Sequence, residues 1–279
     1  MPRSNRKHRL RNWLIAGIVA VVVLGVGGPF VYIHFIEGPA PAKLTLPKDE
    51  TTTTSHAATA GAVKGGTEQV NGTWNVGSGS VVGYRVGEVL IGQNSTAVGR
   101  TEKVWGSLTI ENGSVTKGTF TANMASVTSD QSERNAQFDG RIMDVSTYPT
   151  AEFVITKPIS LGANLSTGTA KTYPTGGRLT MHGVTKPITF TVSMELNSDG
   201  AYVLSEIPIV FANWDISNPS VGGFVTTKNS GTLEVLLHLV RGAGNPVASS
   251  SSQGSSGGGF GGPVTVPSTT VPPLTVPRS

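Results

Sequence analysis

The sequence predicts an almost entirely β domain over residues 74–241, rolled into an antiparallel barrel of about eight strands. Three observations predict it. Apolar and polar residues alternate at period two through most of that span, the mark of strands with one buried face. Turn signals such as Glu111-Asn112-Gly113-Ser114 and Asn197-Ser198-Asp199-Gly200 separate the alternating runs. The 279 residues include no cysteine, 36 glycines and 17 prolines, and only 14% are charged, so an apolar core must supply the stability that disulfides cannot. Strands with one greasy face each must hide those faces together, and only closure also removes the unpaired edges.

At the N-terminus, Arg3, Arg6, Lys7, Arg9 and Arg11 precede residues 13–36, which carry no formal charge although His34 lies near the far end. Such a run is long enough to cross a hydrocarbon core of about 30 Å. The basic segment 1–12 is then cytoplasmic, and everything after the anchor lies outside. The alternative is secretion after signal cleavage near Ala42, since Ala40-Pro41-Ala42 imitates a small-x-small site. The apolar run exceeds the roughly 7–15 residues of a signal core, which favours an uncleaved anchor. Residues 37–73 turn to Pro, Thr, Ala and Gly without apolar period and read as a flexible linker. Residues 242–279 form a Ser/Gly tract followed by Val-Pro repeats, too poor in apolar surface to offset the entropy of ordering.

Within the domain, Ser80, Val82, Tyr84 and Val86 share one face of the first long strand, with Val81, Gly83 and Arg85 on the other. Val104, Gly106, Leu108 and Ile110 alternate with Lys103, Trp105, Ser107 and Thr109, and after the Asn112-Gly113 corner Phe120, Ala122 and Met124 face one way. Residues 130–138 begin with a capping Asp130, carry Glu133 three positions on and lack β-branched residues, which predicts a short helix ending by Gly140. Tyr148-Pro149 returns the chain to a strand bearing Phe153 and Ile155. Leu179 and Met181 belong to one strand. After a Gly-Val-Thr-Lys-Pro corner, Ile188, Phe190, Val192, Met194 and Leu196 alternate along the next, with Pro187 as its first residue. Leu233, Val235, Leu237 and Leu239 mark the closing strand.

Periodicity does not separate a filled interior from a hollow one. Small residues on core faces, Gly106, Ala122 and Ala125, favour a hollow. A formal net charge of +4 owes much to the N-terminal cluster, and no basic stripe interleaved with aromatics indicates a nucleic-acid partner. Enzymatic chemistry has little to work with. The domain holds only His182 and His238 as histidines, no cysteine, and neither a His-Glu-x-x-His helix nor a Gly-x-Ser-x-Gly elbow. His182, at a strand end, reads as a structural hydrogen-bonder and His238 as solvated. A hydrolase or isomerase pairing His182 with Asp144 or Glu152 is the weakest of the readings, and nothing calls for a metal or an organic cofactor.

Three stretches carry a further signal. Trp74 followed by Ser80-Val81-Val82-Gly83-Tyr84, Phe138 through Tyr148-Pro149-Thr150-Ala151-Glu152-Phe153, and Leu179-Thr180-Met181-His182-Gly183-Val184-Thr185-Lys186-Pro187 occur in one order across nearly all of 74–241. Together they resemble the YceI-like family. The resemblance implies a lipocalin-like barrel exported from the cytoplasm, often homodimeric, with a long apolar tunnel for a polyprenyl or isoprenoid-quinone-like lipid. The faces lining such a tunnel carry Val82, Tyr84, Val86, Phe120, Met124, Phe153, Ile155, Met181, Ile188, Phe190, Val235 and Leu237. Two departures accompany the match. Arg134-Asn135 stands where the family usually has Arg-Asp, and residues 211–216, Phe-Ala-Asn-Trp-Asp-Ile, stand where it often has Arg-x-x-Phe-Gly. The reading that follows is a membrane-tethered lipid carrier, with a solid-cored interaction module of the cell envelope as the alternative.

Overall fold

The longest hairpin joins β9 (Lys171–Met181) to β10 (Val184–Asn197), with eleven residue pairs from Val184 opposite Met181 to Met194 opposite Lys171. Its corner is only two residues, His182 and Gly183, both at positive φ (51° and 74°), the geometry whose twist suits a tight antiparallel hairpin. The second strand therefore starts at Val184, and Pro187 is its fourth residue rather than its first. A proline is tolerated inside a strand where its donor-less nitrogen meets no ladder, and β10 has a ladder on only one side there.

Around this hairpin, the computed structural model describes residues 5–22, 40–47, 70–90, 92–162, 165–223 and 225–242. The first strands are β1 (Gly72–Val76), β2 (Val81–Leu90), β3 (Gln93–Thr101), β4 (Val104–Glu111) and β5 (Ser114–Asn123). There follow β6 (Thr128–Ser129), β7 (Thr150–Ile155) and β8 (Ile159–Ser160), and, after β9 and β10, β11 (Gly200–Val210), β12 (Val225–Thr227) and β13 (Ser230–Arg241). Hydrogen bonding runs β1-β4-β5-β7-β9-β10-β11-β13 and returns from β13 to β1, a closed antiparallel ring of eight strands. β1 and β2 act as two halves of one long strand. β13 pairs its end with β1, Trp74 opposite Arg241, and its beginning with β2, Leu233 opposite Tyr84. Asn112 and Gly113 turn the β4–β5 corner at φ 51° and 69°, as their sequence predicts.

Two apolar clusters lie toward the two ends. One surrounds Trp74, 1% exposed, with Val70, Leu108, Tyr173, Leu196 and Leu239, and the Trp74 indole donates to the Val70 carbonyl over 2.8 Å. The other gathers Phe138, Met143, Leu179, Met181, Phe211 and Trp214. The short helix is Ser132–Gln137, and it continues through a wider turn, Phe138–Ile142, past Gly140 where the sequence had it stop. Asp130 makes no cap bond. Its carboxylate accepts from Arg134, four residues on, while the Asn135 amide oxygen accepts from the Ser129 backbone N–H (2.7 Å) and hydroxyl (2.8 Å).

The N-terminal helix spans Asn5–Val22, so it starts inside the basic segment rather than at Trp13, as good helix formers such as Lys, Arg and Leu permit. Among the described residues no helix is long and apolar enough to cross a membrane, and positions 23–36 of the expected anchor lie outside them. Most of the expected linker and the expected tail after Gly242 lie outside them too.

Residues 40–47 lie on the barrel. Glu234 faces outward from β13 yet is 1% exposed, because Arg85 (2.7 Å) and Arg100 (2.7 Å) close over its carboxylate. The same two guanidiniums donate onward to the Pro41 carbonyl (2.7 Å) and the Ala42 carbonyl (2.5 Å), and Lys43 pairs with Glu206 at 2.9 Å. Removing the carboxylate would leave two cations facing each other in a crowded site. Glu234→Ala is expected to lower stability by about 3 kcal/mol in urea unfolding at neutral pH, whereas Lys43→Ala, an exposed pair, is expected to cost under about 1 kcal/mol.

Candidate functional site

Between the two end clusters the inward side chains are only half-buried. Val82, Phe120, Ile155, Val192, Val203 and Val235 pack against the Trp74 cluster, and Tyr84, Phe153, Ile188 and Leu233 against the other, without being fully covered. An inward face that stays partly exposed borders a void. A cavity of about 620 Å³ runs along the axis, walled by these residues, a size within the roughly 300–1,000 Å³ of small-molecule sites.

The void persists because rings lie against the wall instead of across it. Tyr84 sits opposite Gly99 in the β2–β3 ladder, and a Cβ on Gly99 would come within 2.4 Å of the Tyr84 ring. A Cβ on Gly177 would meet the Phe153 ring at 2.4 Å and the Val154 carbonyl oxygen at 2.3 Å. Each glycine thus gives an aromatic plane a flat seat. Tyr84 then stacks on Phe138 (centroids 5.2 Å, 14°), and Phe153 meets Phe190 edge-on (5.2 Å, 61°).

All the sequence-predicted lining residues border this cavity: Val82, Tyr84, Val86, Phe120, Met124, Phe153, Ile155, Met181, Ile188, Phe190, Val235 and Leu237. Of the small residues that favoured a hollow, only Ala122 borders it. Ala125 is exposed in the turn Met124–Ser126, and Gly106 is needed where β4 approaches β5, since a Cβ there would lie 2.1 Å from the Thr119 carbonyl oxygen. Gly99 and Gly177, which sequence reading passed over, are the small residues that shape the bore.

A polar lip, also unforeseen, stands at one end, where Glu88, Gln131, Glu133, Arg134 and Gln137 border the cavity. Arg134 lies 3.1 Å from Glu88, and both side chains are largely buried. Because its partners sit on the helix and on β2, the lip is visible only once those elements meet. Nearby, burial pushes the Tyr84 phenol up to about 12; Arg134 opposes the rise, and Glu88, Asp130 and Asp139 add to it.

Both histidines of the domain are held by backbone carbonyls and an aromatic ring. His182 Nδ1 lies 3.0 Å from the Trp214 carbonyl, and its ring meets Tyr148 edge-on at 4.8 Å. Asp144 is half-buried, its carboxyl held below the usual range chiefly by the Thr147 and Ser146 hydroxyls and only lastly by His182. His238 is not solvated as its alternation suggested. It is buried, stacked on Tyr202 (4.5 Å, 7°), with Nδ1 2.8 Å from the Ser78 carbonyl and Nε2 3.3 Å from that of Asp199.

The raised Tyr84 value has a pH consequence. The folded barrel holds the neutral phenol more firmly than the unfolded chain does, so this contribution is complete below the ordinary value of 10.0 and lost as pH rises through about 12. In thermal melts between these two values, Tyr84→Phe is expected to show a flatter loss of stability than the parent.

No curated protein matches the chain. Solved structures that resemble it include a polyisoprenoid binding domain from Saccharophagus degradans implicated in plant cell wall breakdown, 13% identical, TM-score 0.48, covering 62% of this chain and 99% of that one. BcnA of Burkholderia cenocepacia is 20% identical, TM-score 0.42, covering 55% and 94%. The YCEI protein of Campylobacter jejuni is 13% identical, TM-score 0.38, covering 71% and 98%. A family model described as the YceI-like domain matches residues 45–239, well over half of the 279. The chain belongs to the YceI-like domain family.

Proposed function

We propose that this protein binds and carries an isoprenoid-type lipid, polyprenyl or isoprenoid-quinone-like, on the outer side of the membrane to which its N-terminal segment tethers it. The observation that carries the reading is the apolar axial cavity with one polar lip. A hydrocarbon tail would fill the bore, where each buried methylene contributes about 0.8 kcal/mol. The polar end of the amphiphile would rest among Glu88, Arg134 and Gln137. Membership of a family of lipid-binding barrels supports the same reading.

The tether rests on the uncharged run 13–36 and the basic residues before it. Cleavage after Ala42 would take away both carbonyls that Arg85 and Arg100 hold, which favours an uncleaved segment.

A solid-cored interaction module is the contrasting reading, and the half-buried inward faces argue against it. Organic extraction of protein purified from its native membranes, followed by mass spectrometry, is expected to release a prenyl lipid; consistently empty protein would oppose the carrier. Ala122→Phe points a ring into the bore. In a hollow barrel it is expected to change stability by less than the about 1–3 kcal/mol of an overpacked core, while binding of a fluorescent prenyl alcohol falls about ten-fold or more, a loss of roughly 1.4 kcal/mol.

A further inference from the structure

The ring closes, but its β10–β11 side closes only in part. β10 has fourteen residues and β11 eleven, yet they pair only from Asn197 opposite Gly200 to Ser193 opposite Leu204. Beyond that point β11 keeps its ladder with β13 as far as Val210, and β10 keeps its ladder with β9 as far as Val184, so among the described residues each strand has one satisfied edge and one open edge. The fork is capped by a side chain: the Ser205 hydroxyl, buried, donates to the Thr191 carbonyl over 2.8 Å. At the other end the slot is clasped where His182 Nδ1 meets the Trp214 carbonyl at 3.0 Å, joining the hairpin corner to the turn Phe211–Trp214 that follows β11.

Two prolines lie within this unzipped half, Pro187 on β10 and Pro208 on β11. The paired register carried onward would set Pro187 opposite Val210 and Pro208 opposite Thr189. Proline cannot donate to a ladder, so it interrupts zipping from both sides, at staggered positions. The inward residues along the slot, Ile188, Phe190, Ile207 and Ile209, border the axial cavity. The outer rim carries exposed Pro187, Pro208 and Val210.

We propose that this seam is a side entrance through which the hydrocarbon tail of the lipid slides into the barrel, its polar end staying at the Glu88–Arg134 lip. The inference rests on the lipid-carrier reading. The alternatives along the axis are poor: one end is plugged by the Trp74 cluster, and at the other an apolar tail would have to thread past the charged lip. An amphiphile entering sideways keeps its polar group wet at the lip, whereas entry from the Trp74 end would draw that group through the apolar bore, whose desolvation would be costly. The seam also accounts for the two prolines: a zipped wall would leave the tail no lateral route.

The absence of cysteine from the chain makes the test clean. The full chain carrying Thr189→Cys and Val210→Cys, which keeps both prolines, is bridged by a short bis-maleimide, which does not demand disulfide geometry, and compared with the same protein capped at both cysteines by N-ethylmaleimide. Uptake of dansyl-geranylgeraniol from phosphatidylcholine vesicles is followed by fluorescence. The bridged form is expected to load about ten-fold slower or more, since a rate falls exponentially with its barrier, and to reach the same final occupancy. Equal loading rates would overturn the side entrance while leaving the carrier intact. Folded protein that stays empty in both forms would sink the carrier reading and the entrance with it. Thr191→Cys with Glu206→Cys, nearer the fork, repeats the comparison should the first pair fold poorly.

Discussion

Closure of the sheet by β13 is the constraint on which the rest depends. That strand bonds β11 along one edge and both β1 and β2 along the other, so a single strand fastens the two halves of the opening segment to the last hairpin. Its inward residues Leu233, Val235, Leu237 and Leu239 run the length of the bore, from one end cluster to the other. An eight-strand ring is wide enough that opposing side chains need not touch. Whether they touch is decided locally, by rings that turn flat onto Gly99 and Gly177 instead of reaching across.

The inner faces were legible in the sequence because alternation is a property of one strand at a time. Leu179, Met181, Ile188 and Phe190 turn inward where period two puts them, and Asn112-Gly113 makes the corner it announces. What stayed hidden depends on neighbours distant in the chain. His238 read as a solvated position, yet it is covered by Tyr202, Ser78 and Asp199, and Glu234 on the same outward face of the strand is covered by Arg85 and Arg100. Alternation tells which way a side chain points, not what lies over it.

The bore and its lip divide in the same way. Every predicted lining residue borders the cavity, while its polar end was invisible because Glu88 and Arg134 lie 46 positions apart and meet only after the helix folds over β2. The corner at His182-Gly183 was placed too late because Pro187 suggests a strand start. The chain instead begins its strand at Val184 and tolerates the proline by leaving that edge open. One local rule bent there, and the bend coincides with the unzipped part of the wall.

The grip on residues 41 and 42 works through main-chain oxygens, with Glu234 orienting the two arginines that reach for them. Such a hold reads the path of the strap and its spacing, and is blind to the side chains it carries. Composition there is free to drift without loosening the strap. An inserted or deleted residue would put the carbonyls out of step with the Lys43–Glu206 pair, so for residues 41 and 42 spacing counts for more than side-chain identity.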